Sequence, residues 1–189
     1  MAEETYVITV DPQKCLACKT CEFQCAIEHS GVSVYNIPKE KPPKYIHVEG
    51  TTYYSLPIQC QHCEKAPCVA VCPAKAITNV EGIVLIDSEK CIGCKYCIYV
   101  CPFGVLEFNR KAKLVSKCDL CLDKLKKGLK PICVASCPTK ALTYGKISEL
   151  LKTRREALFE IVKGAVVMGH VPTGKEARWP SLYSIPKTP

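Results

Sequence analysis

The chain has 189 residues, sixteen cysteines and 48% hydrophobic residues, and this length predicts one or two small domains. So many cysteines in a short chain indicate either a disulfide scaffold or a metal protein. The formal net charge of +8 counts every cysteine as neutral, and metal-bound thiolates would cancel most of it. The basic excess therefore predicts no nucleic-acid partner.

Residues 1–11 contain no basic start, no apolar core of useful length and no twin arginine. This pattern predicts that the chain carries no secretory signal. No run approaches the ~18 consecutive apolar residues of a membrane-spanning helix, so we expect no direct membrane span. Both features favour a cytoplasmic protein, in a compartment where structural disulfides are rare.

The cysteines form four groups of four, and none is left over. Groups one and three have the spacing C-x2-C-x2-C-x3-C, group two has C-x2-C-x4-C-x3-C, and group four has C-x2-C-x11-C-x3-C. Two residues between cysteines allow one loop to offer three sulfurs to a small inorganic core, which predicts four [4Fe–4S] clusters. In chain order, the groups are Cys15, Cys18, Cys21 and Cys25; Cys60, Cys63, Cys68 and Cys72; Cys91, Cys94, Cys97 and Cys101; and Cys118, Cys121, Cys133 and Cys137.

The flanks of the groups repeat along the chain. Residues 7–15 resemble residues 83–91, and residues 72–78 resemble residues 137–143. Each unit reads as a short strand, a loop with three cysteines, a short helix that carries the fourth cysteine, and another strand. Such repetition indicates duplicated modules.

These repeats predict a cysteine-bearing body over residues 1–145. Its inner module covers about residues 58–110 and holds groups two and three. Its outer module covers about residues 5–32 plus 111–145 and holds groups one and four. Between groups one and two, residues 33–57 contain four prolines and read as an irregular insertion.

The region after the body contains no cysteine. Residues 146–164 carry apolar side chains on one helical face, which predicts a C-terminal helix. Packing on the body is one interpretation of this helix, and docking on a partner is the other. Residues 165–189 contain several prolines and glycines and read as an extended tail.

Disulfide bonds and zinc are the two alternatives to clusters. Disulfides lack support because no export signal precedes the cysteines, and because Pro73, Pro102 and Pro138 follow three of the fourth cysteines. Proline at this position starts a helix without the loss of an amide donor, which no disulfide requires. Zinc sites use two cysteine pairs separated by a longer stretch, so zinc stays open mainly for group four.

Side chains beside the cysteines give weaker indications. His62 stands between two cysteines of group two, where a supporting or surface role is favoured over the tuning of a cluster. His29 and His47 read as ordinary polar residues. Tyr96 and Tyr99 are expected to pack over the clusters and exclude water. No Ser-His-Asp set, phosphate loop or pair of carboxylates is visible, so we predict no catalytic site.

Two segments carry the most specific pattern, CQHCEKAPC over residues 60–68 and KCDLC over residues 117–121, which leads to PICVASCP over residues 131–138. Together with the four groups, they resemble the four-cluster ferredoxin-like electron-transfer subunits of dimethyl sulfoxide reductases, formate dehydrogenases, hydrogenlyases and carbon monoxide dehydrogenases. Residues 21–30 are similar to the small carbon monoxide dehydrogenase-associated members. Lys124 is a departure, because many members carry arginine there.

The resemblance implies that three cysteines of one group bind a cluster together with the last cysteine of a partner group. The implied sets are Cys15, Cys18, Cys21 with Cys137; Cys118, Cys121, Cys133 with Cys25; Cys60, Cys63, Cys68 with Cys101; and Cys91, Cys94, Cys97 with Cys72. We therefore predict an α+β protein of two ferredoxin-like modules with cross-paired cluster ligands and a C-terminal helix.

The resemblance also implies a function. Members of the family carry electrons within anaerobic oxidoreductase complexes and have no catalytic site of their own. The implied partners are a catalytic subunit (carbon monoxide dehydrogenase, formate dehydrogenase or hydrogenase) and a second redox protein. The alternative is an assembly or interaction subunit that its clusters merely stabilise.

Overall fold

The computed structural model describes residues 6–31, 35–36, 42–51, 55–153, 155–156 and 159. The chain divides into two units after Ile147. In the second unit, residues 148–153, 155–156 and 159 are helical, while the rest of the predicted helix and the predicted tail lie outside the described residues. Within the described part of the chain, no helix is long and apolar enough to cross a membrane.

Short helices and two-stranded antiparallel sheets alternate along the first unit, which confirms the α+β prediction. The strand pairs are β1 (Tyr6–Val10) with β8 (Leu142–Lys146), β2 (Ile46–Gly50) with β3 (Ser55–Gln59), β4 (Ile77–Val80) with β5 (Ile83–Ile86), and β6 (Glu107–Asn109) with β7 (Leu114–Ser116). The helices are α1 (Thr20–Ser30), α2 (Pro67–Ala70), α3 (Tyr96–Val100), α4 (Leu122–Lys126) and α5 (Ile132–Ala135), and Pro12–Lys14 form a 3-10 turn.

The first and last strands of this unit pair with each other, so that Val10 lies opposite Leu142. Ile8 and Leu142 are buried in one core, which also contains cysteines of groups one and four. Apolar burial of this kind is the main favourable contribution to folding. The β1–β8 pair therefore joins two cysteine groups that are far apart in sequence.

A second core lies beneath groups two and three. The β4–β5 hairpin contributes the buried side chains of Ile77 and Val84, and the β6–β7 hairpin contributes Val115. Cysteines of groups two and three pack against these side chains. Each core is therefore built around the cysteines of two groups.

The sequence predicts an irregular insertion over residues 33–57, and this prediction is wrong for the part that the structure describes. β2 and β3 form a regular hairpin in which Val48 lies opposite Pro57. Proline is tolerated because each strand of a two-stranded sheet is an edge strand. The buried Glu22 of α1 anchors the hairpin, since its carboxylate accepts hydrogen bonds from the Val48 N–H and from the Lys44 ammonium.

Replacing Glu22 by glutamine is expected to lower the free energy of unfolding by about 1–3 kcal/mol, because a buried charge-assisted contact is lost. Burial opposes ionisation of Glu22, but the hydrogen bonds from Lys44 and Val48 outweigh it and lower the pKa of this carboxyl. A lowered pKa in the folded state contributes stability above the unfolded-state pKa, and this contribution is lost as the pH falls through the folded-state value.

Anaerobic urea unfolding of the loaded protein measures this effect. Glu49→Gln is the matched control, because Glu49 lies on the same hairpin and is exposed. The difference between the Glu22→Gln variant and the wild type should be present at pH 7 and should shrink on acidification. Equal losses of stability in the two variants would contradict an anchoring role for Glu22.

Candidate metal centres

The residue before the second cysteine has a positive φ angle in all four groups. The values are 54° for Ala17, 45° for His62, 66° for Gly93 and 59° for Leu120. A left-handed residue in a turn directs successive backbone N–H groups to one side, which creates a concave anion site of the kind that surrounds Fe–S clusters. Outside glycine this conformation costs roughly 1–2 kcal/mol, so its recurrence in four different residue types indicates a requirement of the site.

Three of the four groups also share a turn after the fourth cysteine. The backbone N–H three residues later donates to the cysteine carbonyl, at 3.2 Å from Lys75 to Cys72, 3.3 Å from Gly104 to Cys101, and 3.2 Å from Lys140 to Cys137. Group one differs, because Cys25 lies inside the eleven-residue helix α1. This explains why Ala26 stands where the other groups have proline, since an interior proline would break that helix.

Two clefts in the described part of the chain are lined by cysteines from two groups each. One cleft is lined by Cys60, Cys63, Cys68 and Cys101. The other is lined by Cys15, Cys18, Cys21 and Cys137. Each cleft thus brings three cysteines of one group together with the last cysteine of another.

The two clefts fit an inorganic cluster better than a single metal ion. Cluster-binding cysteine runs give three cysteines to one cluster and the fourth to another cluster, and this is the combination that each cleft shows. Beside the cysteines, the linings include apolar side chains such as Val84, Leu106 and Leu142, and none of the lining residues described is a carboxylate. An apolar shell limits water access and so influences the reduction potential of a bound group.

Several of the other cysteines pack within the two cores. Cys25 and Cys133 are buried in the outer core. Burial raises the pKa of the Cys133 thiol well above its usual value, and neighbouring thiols, Cys25 among them, raise it further. In the inner core, Cys97 packs with Cys72 and Cys91. All sixteen cysteines lie in the described part of the chain and their thiols are free, so they form no disulfide.

Burial makes the ionised form of several of these thiols unfavourable. Burial raises the pKa of the Cys21 and Cys97 thiols to about 11, and neighbouring cysteines add to the effect. Burial likewise raises the pKa of Cys118 well above its usual value. Metal ligation requires thiolates, so binding must release these protons. Only a positively charged core can hold such thiols together as thiolates at neutral pH.

Backbone donors reach the sulfurs of two fourth cysteines. The N–H of Tyr45 donates to Sγ of Cys25 at 3.3 Å, and the N–H of Ala76 donates to Sγ of Cys72 at 3.3 Å. Hydrogen bonds to ligand sulfurs are one of the means by which a protein sets a cluster potential. The Tyr45 contact also ties the residues before β2 to group one.

His29 has a more specific position than the ordinary polar role that the sequence suggests. Its Nδ1 lies 2.9 Å from the carbonyl oxygen of Cys25, and its Nε2 lies 3.1 Å from Oδ1 of Asp119. Burial opposes the charged form, but hydrogen bonding to Asp119 outweighs it and raises the pKa of His29 to about 11. Asp119 also accepts from the N–H of Cys121, so the pair joins groups one and four. The sequence offered one signal of this position: Cys25 and His29 are four residues apart on α1, so they lie on the same face of the helix.

The exposed fractions of three side chains bear on two further expectations from the sequence. Tyr96 is 56% exposed and Tyr99 is 82% exposed, so the prediction that they cover the clusters is wrong. The five-residue helix α3 has one buried side chain, Cys97, and its tyrosines face outward. His62 is 1% exposed, which rules out a surface role and leaves a supporting one.

Residues 51–147 match the family described as a 4Fe-4S dicluster domain. The chain belongs to this family. It is 36% identical over 156 residues to the B subunit of the anaerobic dimethyl sulfoxide reductase of Escherichia coli K12, with 78% of this chain and 76% of the relative covered. It is 36% identical over 173 residues to an iron-sulfur protein of Rhodospirillum rubrum, with 82% of this chain and 90% of the relative covered.

Another relative of this dicluster protein is the thiosulfate reductase electron transfer subunit of Salmonella typhi, 38% identical over 149 residues, with 76% of this chain and 77% of the relative covered. A solved structure, the BamBC active site complex of benzoyl coenzyme A reductase with benzoyl-CoA, aligns with a TM-score of 0.41 and 21% identity over 86% of this chain and 96% of that chain.

Membership of the dicluster family confirms the predicted [4Fe–4S] cofactors, and sixteen cysteines are the number that four such clusters require. The matched range contains groups two, three and four but not group one. One relative is named as an electron transfer subunit of a reductase and another as an iron-sulfur protein, which confirms the prediction of an electron-transfer subunit.

Proposed function

We propose that this chain conducts single electrons through four [4Fe–4S] clusters between a catalytic oxidoreductase subunit and a second redox partner. The main support for this proposal is the pair of clefts, each lined by three cysteines of one group and the fourth cysteine of another. The proposed ligand sets, in spatial order, are Cys91, Cys94, Cys97 with Cys72 (set A); Cys60, Cys63, Cys68 with Cys101 (set B); Cys118, Cys121, Cys133 with Cys25 (set C); and Cys15, Cys18, Cys21 with Cys137 (set D).

Proximity of thiols supports this order. In three cases a cysteine of one set adds to the effect of burial in raising the thiol pKa of a cysteine in another set. The pairs are Cys68 with Cys97, Cys60 with Cys118, and Cys21 with Cys133. These electrostatic interactions link set A to B, B to C, and C to D, which supports a single series of four sets.

Exposure distinguishes set C from the other three sets. The cysteines of set C are all buried. In set D, Cys18 is exposed and the neighbouring Leu16 is 71% exposed. Beside set A, Ile92 is 68% exposed. Sets A and D are the ends of the proposed series, and exposed groups lie beside each of them, so we expect electrons to enter and leave there.

The identity of the catalytic partner follows from the relatives only as a class. The relatives named here serve dimethyl sulfoxide and thiosulfate reductases, so we propose a catalytic subunit of a reductase complex. Carbon monoxide dehydrogenase, formate dehydrogenase and hydrogenase are the partners that the sequence resemblance implies, and they remain part of the proposal. Sixteen free thiols suit a reducing compartment, which favours the cytoplasm.

Metal analysis and potentiometric titration of the anaerobically purified protein test the proposal. Four clusters should give about sixteen irons and as many sulfides per chain, with four separate one-electron reductions in electron paramagnetic resonance. About four irons per chain, or zinc in their place, would contradict the four-cluster assignment. Clusters that no low-potential donor reduces would instead favour the assembly subunit.

A further inference from the structure

A lysine is buried between the second and third ligand sets. Lys117 is 6% exposed and directly precedes Cys118. Its Nζ donates to the carbonyl oxygen of Cys118 at 2.7 Å and to the carbonyl oxygen of Val84 on β5. Among the residues that the structure describes, no carboxylate lies within ion-pair distance of this ammonium.

A buried ammonium without a carboxylate is costly, because removal of the charge from water is only partly offset by carbonyl dipoles. Unpaired charges of this kind are rare in stable proteins unless another negative group faces them. The two carbonyl contacts fix the position of Nζ but carry no net charge. The compensating negative charge must therefore come from the groups around Lys117.

The two carbonyl contacts place this ammonium beside cysteines of two sets. Cys118 belongs to set C, and Val84 lines the cleft that the cysteines of set B form. Lys117 thus acts electrostatically on two sets at once. A cluster with four thiolates is the kind of anionic group that would satisfy the lysine.

The neighbouring His62 contributes no competing charge. Its Nδ1 accepts a hydrogen bond from the N–H of Val84 at 3.1 Å. A ring nitrogen that accepts a hydrogen bond carries no proton, whereas a charged imidazole has a proton on both nitrogens. His62 is therefore neutral, and Val84 has both of its backbone polar groups satisfied, one by His62 and one by Lys117. The other nearby charge, Asp119, is paired with His29.

We propose that Lys117 is a shared positive charge between the clusters of sets B and C, which makes both easier to reduce than they would be without it. The inference rests on the proposed function, since it concerns clusters held by those sets. Reduction adds one negative charge to a cluster, and a fixed cation nearby stabilises that charge. No bond changes and no proton moves; the electron arrives from the adjacent cluster and passes to the next.

The test compares Lys117→Met, which removes the charge, with Lys117→Arg, which keeps it, in the full-length anaerobic protein. Potentiometric titration followed by electron paramagnetic resonance reports all four clusters separately. In Lys117→Met, two clusters should become at least tenfold harder to reduce, about 59 mV for a one-electron couple, while the other two change less. Lys117→Arg should retain the wild-type potentials.

Lys126→Met is the matched control, because Lys126 lies in the same segment with a side chain that is 68% exposed. It should shift none of the four potentials. The inference is overturned if Lys117→Met keeps its iron and shifts no cluster, or if it shifts all four equally. If Lys117→Met loses iron, the Lys117→Arg variant decides the question. A full iron content in Lys117→Arg supports a role for the positive charge, and loss of iron from Lys117→Arg overturns the inference.

Failure of the inference and failure of the proposed function remain distinguishable. A wild-type protein without four reducible clusters contradicts the function itself. A wild-type protein with four reducible clusters, and unchanged potentials in an iron-replete Lys117→Met variant, contradicts only the role of Lys117. The rate at which a chelator bleaches the clusters gives a second readout, and it should rise in Lys117→Met but not in Lys126→Met.

Discussion

Serine in place of Cys137 is expected to remove the cluster whose other ligands lie near the N-terminus. Cys137 lines one cleft with Cys15, Cys18 and Cys21, and the β1–β8 pair holds these distant segments together. The variant should lose about four irons per chain, the content of one cluster. The reason is that a serine hydroxyl is a poor replacement for a thiolate ligand.

Anaerobic alkylation followed by mass spectrometry identifies the cysteines that the lost cluster releases. In Cys137→Ser they should be Cys15, Cys18 and Cys21. Cys133→Ser is the matched control, because Cys133 lies four residues before Cys137. This variant should release Cys25 together with Cys118 and Cys121. Release of the group-four cysteines by Cys137→Ser would show that the cross-paired assignment is wrong.

Alanine in place of Gly93 is expected to have the second-largest effect. Gly93 has a φ of +66°, and a Cβ atom built on it would lie 2.2 Å from the carbonyl oxygen of Lys113. A backbone oxygen cannot move away as a flexible side chain can, so the loop between Cys91 and Cys94 must deform. We expect loss of about four irons per chain, measured by metal analysis of the purified protein.

Gly128→Ala separates this clash from backbone strain. Gly128 has a φ of +71°, but a Cβ atom there would meet nothing within 4 Å. Its replacement should cost roughly 1–2 kcal/mol of stability and leave the iron content unchanged. Equal iron contents in the two variants would show that contact with Lys113 does not matter. Ala17 occupies the equivalent place in group one with a φ of 54°, so a positive φ alone does not demand glycine.

The cofactor was predictable because cysteine spacing reflects the geometry of the ligands. The left-handed residue before the second cysteine of each group was not predicted, because four different residue types occupy that position. The β2–β3 hairpin was missed because its prolines mark turns in most contexts. Here Pro57 lies on a two-stranded sheet, where a missing N–H has no cost in strand pairing.

Buried charges were the other features that the sequence could not reveal. From the sequence alone, a charged side chain is expected to face solvent, because burial of a charge without a partner is unfavourable. Glu22 and Lys117 are exceptions, and each makes a hydrogen bond to a distant part of the chain. Val48 is 26 residues from Glu22, and Val84 is 33 residues from Lys117. The pattern of residues within one segment of the sequence does not reveal contacts between residues so far apart.

The pairing of β1 with β8 has a consequence for the order in which the protein matures. β1 is synthesised first and β8 is the last strand of its unit, and translation of the intervening chain takes on the order of ten seconds in bacteria. The inner core instead lies within one continuous stretch and can close earlier, since nearby contacts form faster. Group one therefore stays open on the ribosome until the end of the unit emerges. Iron delivered during synthesis meets a complete inner site before a complete outer one.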